Sequence, residues 1–116
     1  MALKRLVLEM GMGTDLRGQD DTKAAIRAVK DALWHNSLTV ADALGKSGDD
    51  MKIDVHIGTG RPETVDHAAV IATFPYGDVT VHPVRGGMDI AKEDGSLTIV
   101  ANACVVVSLD LPEGTI

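Results

Sequence analysis

The first stretch of the chain alternates. Leu6, Leu8, Met10 and Met12 sit two apart with Val7, Glu9 and Gly11 between them, and a period of two belongs to a strand with one covered face. It predicts a strand over residues 3–12, with the four large residues on the core and Arg5 and Glu9 on the opposite face. Gly11-Met12-Gly13-Thr14-Asp15 ends it in a loop to Gly18. Asp20, Asp21 and Thr22 can each cap a helix, whose apolar residues Ala25, Ile26, Val29 and Leu33 recur at helical spacing as far as Trp34-His35-Asn36. Thr39 can cap a short turn from Val40 to Leu44.

A second alternation follows. Met51, Ile53, Val55 and Ile57 predict a half-buried strand, with Lys52, Asp54 and His56 facing away. Pro62 suits the first position of a second helix, and Val65, Ala69, Val70 and Phe74 form its buried stripe. A third strand from Val79 to Val84 contains Pro83, which lacks a ladder donor and so marks a bulge or an edge. After the turn at Lys92-Glu93-Asp94-Gly95, residues 97–109 are apolar on nearly both faces, as a central strand is.

The predicted class is α/β, an α+β two-layer sandwich in one domain spanning 1–116: β-α-β-α-β-β, a mixed four-stranded sheet with both helices on one face. Nothing in the sequence covers the other face. It is therefore polar or packed against another chain, and a homo-oligomer is expected, a trimer or a larger ring. This element order resembles the chorismate mutase-like architecture. There the last strand inserts centrally, and many members form rings with sites between subunits.

Composition narrows the function. The net charge of −6 argues against nucleic acid, whose binding rests on Lys and Arg. Trp34, Phe74 and Tyr76 are the only aromatic residues, too few for a base-stacking platform. No apolar run approaches the about 20 residues of a membrane span, and the N-terminal apolar stretch breaks at Glu9, too early for a signal peptide. The single Cys104 lies among valines and reads as a small hydrophobe. A cytoplasmic protein is expected.

A repeated strand–Gly-x-Gly–helix unit is the main chemical signal. Glu9-Met10-Gly11-Met12-Gly13-Thr14 precedes the first helix, and His56-Ile57-Gly58-Thr59-Gly60-Arg61 precedes the second. Glycines after a strand allow close approach of a ligand, the following helix end favours an anion, and Arg61 adds a charge. Gly11, Gly13, Thr14, Gly58, Thr59, Gly60 and Arg61 are thus candidate ligand-binding residues, unless each unit is simply a tight turn. The second signal is the uncovered face, where Glu9, His56, His82 and Asn102 are expected to converge. Glu9 and His56 are the candidate acid/base pair, with His82 a further ligand-binding residue. Two histidines and a carboxylate are also a metal-ligand set, but no His-x-x-x-His or Cys-x-x-Cys spacing supports it, so no metal is assigned. A hydrated polar sheet face is the plainer alternative, and no cofactor is indicated.

Three stretches carry a resemblance: Leu8 to Asp15, Asp31 to Leu38 and Val55 to Gly58. With Pro62-Glu63, Val65-Asp66 and Arg85-Gly86-Gly87-Met88, they resemble a family of small, single-domain conserved hypothetical bacterial proteins. The resemblance implies a stand-alone domain and supplies no substrate. A remoter analogy, to ring-opening amidohydrolases, concerns fold and threefold assembly alone, because their serine–lysine pairs have no counterpart here.

Two functions are therefore expected as rivals. One is a homo-oligomer binding a small anionic or polar metabolite at the Gly-x-Gly turns near subunit interfaces, with acid/base or hydrolytic chemistry. The other is a non-catalytic assembly protein whose open sheet face makes the oligomer.

Overall fold

The computed structural model describes residues 2–34 and 39–112. In order, the elements are β1 (Ala2–Asp15), α1 (Asp21–Trp34), α2 (Val40–Ala43), β2 (Lys52–Thr59), α3 (His67–Ile71), β3 (Asp78–Arg85), β4 (Ile90–Ala91) and β5 (Leu97–Leu111). Single 3-10 turns lie at Gly48–Asp50 and Pro62–Thr64. The protein is a two-layer α/β structure with a mixed sheet ordered β1-β5-β2-β3, and β4 is a two-residue addition to β5. The expected end of the first helix at His35-Asn36 and the tail beyond Pro112 lie outside the described residues.

The last strand is central, and its run of apolar residues suits a position between two neighbours. Its helix-side residues Ile99, Ala101, Ala103, Val105, Val107, Leu109 and Leu111 are buried. It runs antiparallel to β1 on one side and to β2 on the other, and β2 pairs in parallel with β3. β3 is an edge, so Pro83 sits where a lost ladder donor is cheapest.

Two element boundaries differ from the sequence reading. The second helix begins at His67, with the Asp66 carboxylate accepting from the Ala69 amide; Pro62 opens a separate 3-10 turn. β1 continues through Gly11 and Gly13 to Asp15. The glycines therefore lie inside the strand, and no turn begins at Gly11.

The orientation of β1 is also reversed. A register shift between Arg5 and Val7 turns the strand over, so Gly11, Gly13 and Asp15 face α1 while Leu8, Met10 and Met12 point away from the core. The cause is helix packing. The buried face of α1 is an alanine stripe, Ala24, Ala25, Ala28 and Ala32, with Val29. A Cβ on Gly11 would lie 2.4 Å from the Ala28 carbonyl oxygen and the Ala32 nitrogen, and one on Gly13 2.2 Å from the Ala28 nitrogen. Only hydrogen at these two positions admits the helix backbone so close to the strand. The helix also shields the free edge of β1, since Asp31 accepts from the Met12 amide and Arg27 donates to the Thr14 carbonyl.

Candidate functional site

The residues of the two Gly-x-Gly units are occupied by the protein itself. Gly58 lies against the Gly86-Gly87 turn, and the space beside Gly60 is filled by the Asp89 carboxylate. The buried Thr59 hydroxyl donates to Asp21 at 2.5 Å. Arg61 turns back onto the same carboxylate. Its amide donates to Asp21 Oδ2 at 3.0 Å, its Nε to Oδ1 at 2.9 Å, and its Nη2 reaches both Oδ1 and the Gln19 carbonyl. Asp21 is 1% exposed, so these donors are what make its burial tolerable. The cluster clamps the β1–α1 loop to the end of β2. Thr14 points from the edge strand toward solvent.

Asp15 secures the same loop. The Asp20 amide donates to it at 2.9 Å, and this bond, aided by Gly18 and Arg27, holds its carboxyl below the usual carboxylate range.

The proposed Glu9–His56 pair is divided by the sheet. Glu9 is opposite Val105 in the register, on the helix side, whereas His56 is opposite Cys104, on the open side. The reversal of β1 moved the carboxylate to the wrong face. His56 and His82 do converge: they are register partners in the parallel β2–β3 ladder, and their rings stack with centroids 4.8 Å apart and 19° between planes. Asp54, one pleat back on β2, takes the place expected of Glu9, with Oδ1 2.8 Å from His82 Nε2. A carboxylate oxygen can only accept, so Nε2 is the donor in this contact. The sequence puts Asp54 on this face by its alternation with Val55; its pairing with His82 comes from strand order. Asn102, also expected here, lies on the open face beside Met12 and Gly58.

The open face thus divides into two halves. Across four adjacent strands one register row reads Met10, Cys104, His56, His82. Toward β1 the surface is apolar: Leu8, Met10 and Met12 are 51%, 69% and 50% exposed, and Leu3 is exposed beside them. Toward β3 it carries Lys52, Asp54, Asp78, Thr80 and the histidines. Among the described residues no group of three or more His, Cys, Asp or Glu could hold a metal ion, and no helix is long and apolar enough to cross a membrane.

A family model described as "Conserved hypothetical protein (Lin0512_fam)" matches residues 5–107. The chain belongs to this family. The Lin0512_fam chain is also similar to a solved structure, an FtsZ-like protein of unknown function from Nostoc punctiforme. The two share 37% identity and a TM-score of 0.87, over 96% of this chain and 99% of that one. No curated protein matches. The family resemblance read from the sequence is thereby confirmed.

Proposed function

We propose that this protein is a self-associating module whose open sheet face is covered by a second copy of the chain. The observation that carries the reading is the row of large apolar side chains on β1, Leu3, Leu8, Met10 and Met12, exposed on the sheet face opposite the helices. An antiparallel sheet tolerates one wet face when that face is polar; here half of it is not. Strand number and length give the face an area of about 700 Å². A stable dimer buries about 800 Å² per partner, so the face is large enough to hold one. The contact is pairwise, and a larger ring would need a further surface.

The native mass tests it. A dimer or higher multiple is expected at micromolar concentration, and Met10→Asp should return a folded monomer. A wild-type protein that stays monomeric sinks the reading.

A second reading rests on the Asp54–His82 contact at 2.8 Å. A carboxylate-backed imidazole is an acid/base or ligand-binding group, suited to a small polar or anionic molecule. A thermal-shift screen against metabolites tests it, with hits expected to vanish in His82→Ala. Hits that persist in that variant count against it.

A further inference from the structure

We infer that the second copy docks face to face about a two-fold axis running across the strands, along the row Met10–Cys104–His56–His82. The inference rests on the self-association proposed above and fixes how the copies meet.

Two kinds of in-plane axis could pair this face with itself. An axis parallel to the strands exchanges the lateral positions. It either lays the apolar β1 side on the charged β3 side or, if centred on the apolar stripe, leaves β2 and β3 with no sheet opposite. An axis across the strands keeps each strand over its own counterpart. Apolar then meets apolar, histidine meets histidine, and the whole face is used. Such a contact is isologous, as a two-fold requires, and it matches the aligned packing of sheets about 10 Å apart.

Charge selects the row. With the axis on Met10–Cys104–His56–His82, residues equally spaced on either side of it come opposite each other. Asp54 then comes opposite the Gly86-Gly87 turn that lies on the other copy's Gly58, and Lys52 comes opposite the Asp89 carboxylate that fills the space beside Gly60. On β5, Asp110 faces Thr98, and on β1, Arg5 faces Thr14. Arg5, Lys52, Asp54 and Asp110 therefore meet no like charge. Leu8 meets Met12, and Val106 meets Asn102. Moving the axis one pleat toward Asp54 would set the two Asp54 carboxylates directly against each other, a like-charge contact at a site losing water. The chosen row also lies near the midpoints of β2 and β3, which maximises overlap. It gathers four imidazoles, two from each copy, into a cluster that one chain cannot make.

The test is cross-linking from a single cysteine on the edge strand β3. In a Cys104→Ser background, His82→Cys places a thiol on the axis, about 10 Å from its mate across the packed sheets. Asp78→Cys, four residues away, places it on the order of 25 Å from its mate. A short bismaleimide should convert the first variant to covalent dimer and leave the second as single chains. Native mass is recorded for both, and the native Cys104, on the same row, serves as the on-axis thiol if His82→Cys does not fold. An oligomer that cross-links at 78, or at neither 78 nor 82, overturns this arrangement while leaving self-association standing. A monomeric native mass overturns both.

Discussion

Gly13→Ala isolates the packing that sets the orientation of β1. By backbone preference alone the substitution should help, because glycine inside a strand costs roughly 0.5–1 kcal/mol relative to alanine. The structure predicts the opposite sign. The new Cβ would sit 2.2 Å from the Ala28 nitrogen and 2.3 Å from the Ala24 carbonyl oxygen. All of these atoms are backbone, so no rotamer change relieves the contact. Restoring ordinary separation moves α1 outward by about 1 Å, and Ala24, Ala25, Ala28, Val29 and Ala32, all fully buried, lose contact with the sheet together. Overpacking of this kind costs about 3 kcal/mol, the upper end of the usual range. For a domain of this size that corresponds to a melting point lower by on the order of 10 °C. Urea unfolding of the two proteins measures it directly, with Gly95→Ala as a control. That glycine needs its positive φ of 86° but has nothing within 4 Å of an added Cβ, so its cost is conformational alone. A Gly13→Ala protein as stable as the wild type would refute the packing account and return Gly-x-Gly to the candidate ligand sites.

Two further outcomes follow from the same structure. Asp21→Ala removes the acceptor for Thr59 and for both the backbone and side chain of Arg61; it should cost about 3 kcal/mol in chemical denaturation, with Arg61→Ala costing less because its guanidinium is half exposed. Asp15 contributes a pH dependence. Its folded carboxyl titrates below the ordinary value near 3.9, so its stabilisation is complete above that value and is lost as pH falls through the lower folded one. Asp15→Asn should flatten that part of the acid-unfolding curve below about pH 4.

Much of the fold was legible in sequence order. Alternation at Met51, Ile53, Val55 and Ile57 identifies a strand and its buried side, because the two sets differ sharply in polarity. The run from Leu97 to Leu109, apolar on nearly both faces, reads as a central strand. Pro83 marks an edge by what it lacks. In β1 the same logic reached the correct element and the wrong face. There both sets are apolar or small, and the tie between Leu8-Met10-Met12 and Gly11-Gly13 is broken by α1, whose alanine stripe accepts only glycine at contact. Period two cannot express that preference, because it depends on how near another element comes. The site divides in the same way. Local sequence determined that His56, Asp54 and His82 lie on the outward faces of their strands. Only strand order decided that His82 stacks on His56 and bonds to Asp54, that Glu9 lies across the sheet from both, and that Arg61 is held by Asp21, 40 residues earlier in the chain. Side-chain direction along a strand is a local property of the backbone, whereas the identity of a neighbour is set by which strands pair and in what register.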